Sequence, residues 1–525
     1  MAAGKIGRVP QQQTPIKVLY LAMAEYFSES GLYWRPLGGN NIDQISGHCY
    51  QYTDIKSLKS GLKATTIVVD LGKFDNHQAL GIKNSVAAVP DIRELLKTPF
   101  LEPEAIFLTH SHPDHLNGIV HYLKAGYSLP PLYGGKYTMM ILNELYDEFC
   151  VMPYERPDFN IIDDGDVIKC GSFKIEVLAS SHTCFDSFGL LITAHDGTTV
   201  YHTGDMKTDN STYFRKPTNL KRLAQMSGKV DFTVCDFCGI VRDGLAVREV
   251  NTFKKLVQII KKSRKNKIFI PVYPTHAEMY LIAFLAALKQ KKDVIFYGGK
   301  DFYSYLEQIK NYGLDFEKLA GNRIKVYVGT PPEIKKLKGK FAVIGTYNDI
   351  GNHFNESSSD SLGIITSGTF FNPLRGQFNA RNIRFVDTKD YPVLQGYGHG
   401  FLGDYEKINQ ILAKPLFIPT HCPIYVIDSC RKLAEYIGIK IATPTAQNNH
   451  TYKLEKDGFK EVKASPATWL VVSYANNQAA FTEVWQKPTS GMGFLKRTFS
   501  ARRCRNQFEM MLHQRQNKDN RNADK

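Results

Sequence analysis

The sequence predicts an α/β protein in which one body of strands and helices is interrupted by a second α/β unit and followed by a short basic tail. Three observations predict this class. Residues with metal-binding chemistry recur just after short apolar runs, as they would at strand ends gathered on one edge of a sheet. Between Val241 and Asp387 the pattern changes to helices alternating with buried strands, the signature of a parallel sheet. After Asp387 the earlier style resumes.

At 525 residues and 59.4 kDa the chain has room for two or three domains and a sizeable core. Apolar residues make up 43% and charged residues 22%, a composition of soluble globular proteins. The opening stretch, MAAGKIGRVPQQQTPIK, lacks the apolar core of a signal peptide, and the longest apolar run, Tyr280 to Leu288, is far too short to span a bilayer. A cytoplasmic protein without membrane contact is therefore expected. The nine cysteines are scattered, and Cys235-x-x-Cys238 has no second pair to complete a four-thiolate zinc site, so they are read as reduced thiols.

The elements follow in order. From Leu37 to Gly72, glycine-rich turns alternate with short apolar segments ending in Thr65-Thr66-Ile67-Val68-Val69-Asp70-Leu71-Gly72, which reads as entry into a sheet. Ala105-Ile106-Phe107-Leu108 is a buried strand. Helical spacing follows from Leu116 to Lys124 and from Tyr137 to Cys150. Strand-like segments return over Asp166–Val177 and Leu190–His202, with a turn at His195-Asp196-Gly197. Beyond Val241, helices are predicted at Arg248–Ser263 and Ala277–Lys289, and buried strands at Lys267–Tyr273 and Asp293–Tyr297. Tyr297-Gly298-Gly299-Lys300 is a strand-to-helix turn or, alternatively, a backbone cradle for phosphate. Gly351–Ser361 is a polar loop. A helix at Asp404–Leu412 and the strand Pro415–Pro419 then lead to Thr420-His421.

The net charge of +15 is concentrated at the end: from Lys487 to Lys525 there are ten Lys/Arg against Glu509, Asp519 and Asp524, a net of +7. With few strand or helix signals, and with Gly491 and Gly493, this stretch reads as a mobile tail. It either attracts a polyanion or is simply solvated.

The most informative stretch is Thr109-His110-Ser111-His112-Pro113-Asp114-His115, where three histidines and an aspartate fall within six residues directly after a strand. Any one of them would be unremarked in a polar turn; the group is not. A hydrolytic dinuclear zinc centre needs neutral imidazoles and carboxylates with positions left open for water and substrate. Further donors stand at other strand ends: His182 after Val177–Ser181, Asp205 after Tyr201–Gly204, and His421 after Pro415–Pro419. Among the other histidines, His48, His77, His195, His202, His276 and His353 fit no ligand position and are expected to be surface or core residues.

This ordered set resembles the metallo-β-lactamase superfamily of zinc hydrolases. The resemblance implies an αββα sandwich in which His110, His112 and His182 hold one Zn2+, Asp114, His115 and His421 hold a second, and Asp205 bridges them. Mn2+ is the alternative ion. Asp70 would orient a histidine through its second ring nitrogen. The α/β unit lies between Asp205 and His421, as in the beta-CASP nucleases, whose extra motifs match Asp236, His399 in Gly396-Tyr397-Gly398-His399-Gly400, and His421. Asp236 would orient a ligand, or else cap a loop. Ribonuclease J is the most similar branch, echoed by Arg35-Pro36-Leu37-Gly38-Gly39-Asn40-Asn41-Ile42-Asp43 and by Val89-Pro90-Asp91-Ile92, with the likeness running from about residue 33 to 455. The chain departs from it in having Tyr397-Gly398-His399 where Ser-Gly-His is usual, and His421-Cys422-Pro423 where His-Gly-Glu is usual.

The resemblance implies residues 1–240 and 388–455 as two parts of the sandwich domain, 241–387 as the insert, and 456–525 as a C-terminal extension. It further implies a zinc-dependent ribonuclease acting on single-stranded RNA, a 5′-to-3′ exonuclease with endonuclease activity as a second mode, in which Asp114, Asp205 and His399 are catalytic. A homo-oligomer is left open. A DNA nuclease of the same branch and a hydrolase of a small ester or thioester are the alternatives, the insert and the basic tail speaking against the latter; a metal-free RNA-binding scaffold would ordinarily have lost ligands.

Overall fold

The computed structural model describes residues 27–517 apart from residues 28, 41–45, 60, 75–85, 322–323, 329–338, 347–349, 351–359, 367–371, 381, 397, 423, 457, 466–467, 476, 486–505 and 507. His77, His353, Tyr397, Pro423, most of the Gly351–Ser361 loop and, in the basic stretch, residues 487–505, 507 and 518–525 therefore lie outside the described residues.

Two sheets face each other. One has eight strands in the order Gly458–Lys463, Thr451–Glu455, Gly31–Gly38, Cys49–Leu58, Gly61–Val69, Pro103–Phe107, Leu132–Gly134 and Phe159–Ile161. The other has seven: Lys440–Ile441, Leu416–Thr420, Phe232–Asp236, Thr199–His202, Phe188–Thr193, Phe173–Ala179 and Val167–Cys170. Side chains alternate between faces along each strand. Ile67, Val69 and Phe107 meet Ile175, Val177, Ile192, Val200, Val234 and Ile418 in the core between the sheets. Their neighbours Val68, Ile106 and Leu108 point outward, onto a layer with the helices Gly118–Lys124 and Lys136–Glu148. On the other side, Leu178, Leu191, Tyr201, Cys235 and Phe417 pack under Leu223, Leu402, Tyr405, Ile427 and Leu433 of the helices Leu220–Gln225, Leu402–Ile411 and Ile424–Tyr436. Near-continuous apolar strands are what a sheet buried on both faces requires. The result is the expected αββα sandwich.

Strand direction places the functional edge. Gly61–Val69 runs parallel to Pro103–Phe107, with Val69 beside Phe107, so both chains leave the sheet at the same end, at Asp70 and at Leu108. In the opposite sheet Thr199–His202, Phe232–Asp236 and Leu416–Thr420 are parallel neighbours, Val200 beside Phe232 and Asp236 beside Thr420. They deliver Thr203–Asp205, Asp236 and His421 to that edge.

The insert is a six-stranded, wholly parallel sheet in the order Ile324–Val328, Asp293–Gly298, Phe341–Thr346, Lys267–Val272, Ser361–Ile364 and Arg384–Val386, with apolar clusters on both faces. The predicted helices stand at Glu249–Ser263 and Ala277–Lys289. Gly299 precedes the helix Lys300–Tyr312, so Tyr297–Lys300 is a strand-to-helix turn.

Two features depart from expectation. The stretch after Glu455 is integral to the body: Gly458–Lys463 extends the eight-stranded sheet, and Thr468–Ala475 pairs with both Gln478–Trp485 and Ala87–Pro90, burying Trp469 against Phe74. Nor is the end of the chain a featureless tail. Residues 508–517 are helical; Phe508 and Met511 are buried in the outer layer beneath the seven-stranded sheet, and Arg515 pairs with Asp243 and Glu406. Sequence charge alone concealed this, because two apolar anchors among ten cations carry little periodic signal.

Candidate metal centre

Asp70 begins the site. It follows the β-branched run Thr65–Val69 in a left-handed conformation (φ 60°), fully buried, and its carboxylate is fully used. Oδ1 accepts from Thr109 N at 2.8 Å, and Oδ2 accepts from Thr109 Oγ1 at 2.9 Å and from His115 Nδ1–H at 2.8 Å. The motif loop is thus bolted to the neighbouring strand end, and His115 Nε2 is turned toward the site. Leu71-Gly72 braces the same loop: the Leu71 amide donates to the His115 carbonyl at 2.8 Å, and a Cβ on Gly72 would fall 1.7 Å from the Asp114 carbonyl oxygen, so only glycine fits.

The predicted donors converge on Asp205. Its Oδ2 lies 3.7 Å from His110 Nε2, 3.6 Å from His182 Nε2 and 3.4 Å from His115 Nε2, while Oδ1 lies 3.2 Å from His421 Nδ1. His112 completes the first side, with its Nδ1 3.0 Å from His182 Nε2. Asp114 stands on the other side, Oδ2 3.7 Å from His421 Nε2 and 3.9 Å from His115 Nε2. Candidate donor atoms of His110, His112, His182 and Asp205 all fall within 4.8 Å of one another.

The electrostatics suit a cation. Burial pushes His110 and His182 well below the ordinary imidazole range and His112 to about 4, so all three are neutral with a lone pair to give. Burial would raise the Asp205 carboxyl, but His421 and His115 outweigh it and hold it well below the usual range. His110 Nε2 and His115 Nε2 are buried without a hydrogen-bond partner. Buried nitrogens left so would cost about 1–3 kcal/mol each, and a divalent metal is a group these imidazoles and carboxylates fit.

His399 is beside this set. Its Nδ1–H donates to Asp236 Oδ2 at 2.8 Å and lies 3.7 Å from Asp205 Oδ2. Burial opposes its charge, yet Asp236, Cys238 and Asp205 outweigh burial and raise it to about 9. Asp236 also accepts from Cys238 N at 2.8 Å, so it both caps its loop and orients His399. Gly398 is bound to be glycine, since a Cβ there would sit 2.5 Å from the His182 ring, whose Nδ1–H donates to the Gly398 carbonyl at 2.9 Å.

His48, read from sequence as a surface or core histidine that fits no ligand position, is buried beside these donors, 3.7 Å from Asp114 Oδ2 and stacked on His115 at 4.2 Å between ring centroids. Nothing in its local sequence signals this, because it follows a loop and precedes a strand with no neighbouring ligand. His202 and His195 are structural, paired with Tyr52 at 2.9 Å and Asp54 at 2.6 Å. The glycine-rich opening also gains a reason: the Gly39 carbonyl accepts from His421 N at 3.2 Å, and Asn40 Nδ2 donates to the Pro419 carbonyl at 2.9 Å, so this loop props the His421 turn (φ 53°).

Sandwich, edge and donor set together define a metallo-β-lactamase-superfamily domain. Residues 86–252 match the family model described as a Beta-lactamase superfamily domain. Beyond the superfamily, the chain is similar to ribonuclease J of several bacteria. It is 27% identical to that of Mycobacterium tuberculosis over 197 residues, 37% of this chain and 34% of the relative. It is 31% identical to that of Helicobacter pylori over 195 residues (37% and 26%), and 23% identical to that of Synechocystis over 279 residues (53% and 41%). The matched stretch thus spans about a quarter to two fifths of these relatives' length. Among solved structures, a protein of unknown function from Enterococcus faecalis shares the fold at a TM-score of 0.54 and 18% identity, covering 83% of this chain and 100% of that one. No helix among the described residues is long and apolar enough to cross a membrane.

Proposed function

We propose that this chain is a ribonuclease of the ribonuclease J kind, hydrolysing single-stranded RNA from the 5′ end, with internal cleavage as a second mode and with two zinc ions, or manganese in their place. The observation that carries the reading is the convergence of His110, His115, His182 and His421 on one carboxylate, Asp205, at 3.2–3.7 Å. His110, His112 and His182 would hold one ion, Asp114, His115 and His421 the other, with Asp205 between them. Bound there, the ions would supply an activated water and neutralise charge on the attacked phosphate.

The rest is done by the chain's own groups. Asp70 fixes the His115 tautomer by accepting a hydrogen bond from its Nδ1–H. Asp236 does the same for His399, and keeps it protonated near neutral pH. The other ring N–H of His399 would stabilise charge on the phosphate or protonate the departing oxygen. Tyr397 in place of the usual serine removes a hydroxyl from beside the expected scissile phosphate.

Digestion of matched 5′-monophosphate and 5′-triphosphate RNA and DNA, labelled at either end, tests the substrate: RNA shortening from its 5′ end is expected, and equal or faster loss of DNA would replace the reading by a DNA nuclease. His399→Ala should lower turnover on the order of 10²–10⁴ with bound metal retained; metal lost in step with activity would make His399 a ligand instead.

A further inference from the structure

We propose that His48 is a direct ligand of the metal on the His115–His421 side, a donor outside both ligand motifs. The inference rests on the site being a metal centre and not on its acting as a nuclease. Candidate donor atoms of His48, His115 and His421 lie within 4.8 Å of one another, and all three rings are buried. The His48 ring stacks on His115 at 4.2 Å and meets His421 edge-on at 4.3 Å between centroids. Three imidazoles brought this close, deep in the protein, with no cation between them would repel on protonation and bury lone pairs when neutral.

The ring is held for the purpose. Nδ1 shares a hydrogen bond of 2.7 Å with the Tyr50 hydroxyl, which leaves Nε2 facing the site. Nε2 is buried and has no hydrogen-bond partner; Asp114 Oδ2, at 3.7 Å, is beyond hydrogen-bonding reach. Among the described residues, buried histidine Nε2 atoms in this condition belong to His48, His110 and His115, and the other two are already in the donor set. The backbone is equally constrained: His48 N donates to the Asp114 carbonyl at 2.8 Å, and Gly72 N donates to the His48 carbonyl at 3.0 Å. Gly39 keeps the space open, since a Cβ there would stand 2.5 Å from His48 Nδ1 and 2.3 Å from the Tyr50 hydroxyl oxygen.

With His48, the protein donors on this side become His48, Asp114, His115, His421 and the shared Asp205, against His110, His112, His182 and Asp205 on the other. A more closed donor set retains its ion more firmly, and the less crowded side keeps the open position.

The test is direct coordination, read by loading the full chain, labelled with ¹⁵N-histidine, with ¹¹³Cd²⁺. A one-bond ¹⁵N–¹¹³Cd coupling arises only across a metal–nitrogen bond. Six coupled histidines are expected in the wild type, and five in His48→Gln, whose affinity for the second ion should fall at least about tenfold. Five in the wild type, with His48 uncoupled, would overturn the proposal even if the variant failed to fold, and would make His48 a neighbour that positions Asp114. Absence of all coupling in folded protein would overturn the metal reading itself, whereas intact coupling without RNA cleavage would overturn only the nuclease reading.

Discussion

The two sides of the centre are built differently. His110 and His112 come from one loop, and His182 follows the strand Phe173–Ala179, joined by Asp205; the whole side is assembled within 96 residues of chain. The other side draws on Asp114, His115 and His421, with His48 proposed as a further donor, and these span most of the protein. It holds together through long-range supports: Asp70 under His115, Gly72 against Asp114, and Gly39-Asn40 beneath His421. Local chemistry makes a site recognisable. Packing decides whether distant donors reach it.

The largest effect should come from the residue both sides share. Asp205→Ala is expected to abolish cleavage and to strip metal from both sides, beyond the 10–100-fold that losing an outer partner typically costs; metal analysis of the folded variant checks it, and retention of two ions would show that the sides do not share this carboxylate. Next, the docked end of the chain should matter for stability. Phe508 lies in the layer that contains Phe417 and Cys422, which flank the His421 turn. Phe508→Ala should therefore cost about 3–5 kcal/mol of unfolding free energy in denaturant titration, and an unchanged midpoint would restore the view of this end as a passive tail. The smallest and most selective effect belongs to Asp70→Asn. It should weaken one ion by about 10–100-fold and spare the other, since Asp70 bonds His115 and no histidine of the first side. Equal weakening of both ions in a metal titration would erase the distinction between the sides.

The convergence of the seven candidate donors was legible because ligand chemistry at successive strand ends is itself a pattern: His110, His112, Asp114 and His115 stand together, and His182, Asp205 and His421 each follow an apolar run. The helices at Ala277–Lys289 and near Arg248–Ser263 were legible from their spacing. His48 was not, since a lone histidine carries no pattern, and neither were the helix at residues 508–517 and the pairing of Thr468–Ala475 with Ala87–Pro90, which depend on contacts hundreds of residues apart.

By itself, then, the order of residues determined the class of fold and set the candidate donors at strand ends, because periodicity and strand-end chemistry are local properties of a chain. Tertiary structure alone decided three things: that parallel pairing of Thr199–His202, Phe232–Asp236 and Leu416–Thr420 delivers Asp205, Asp236 and His421 to one edge, that Asp236 both caps its loop and holds His399, and that His48 joins the site. The physical reason is the same in each case: which strands pair, and in which direction, is settled by burying both faces of two sheets at once, and only that packing fixes distances between residues far apart in sequence.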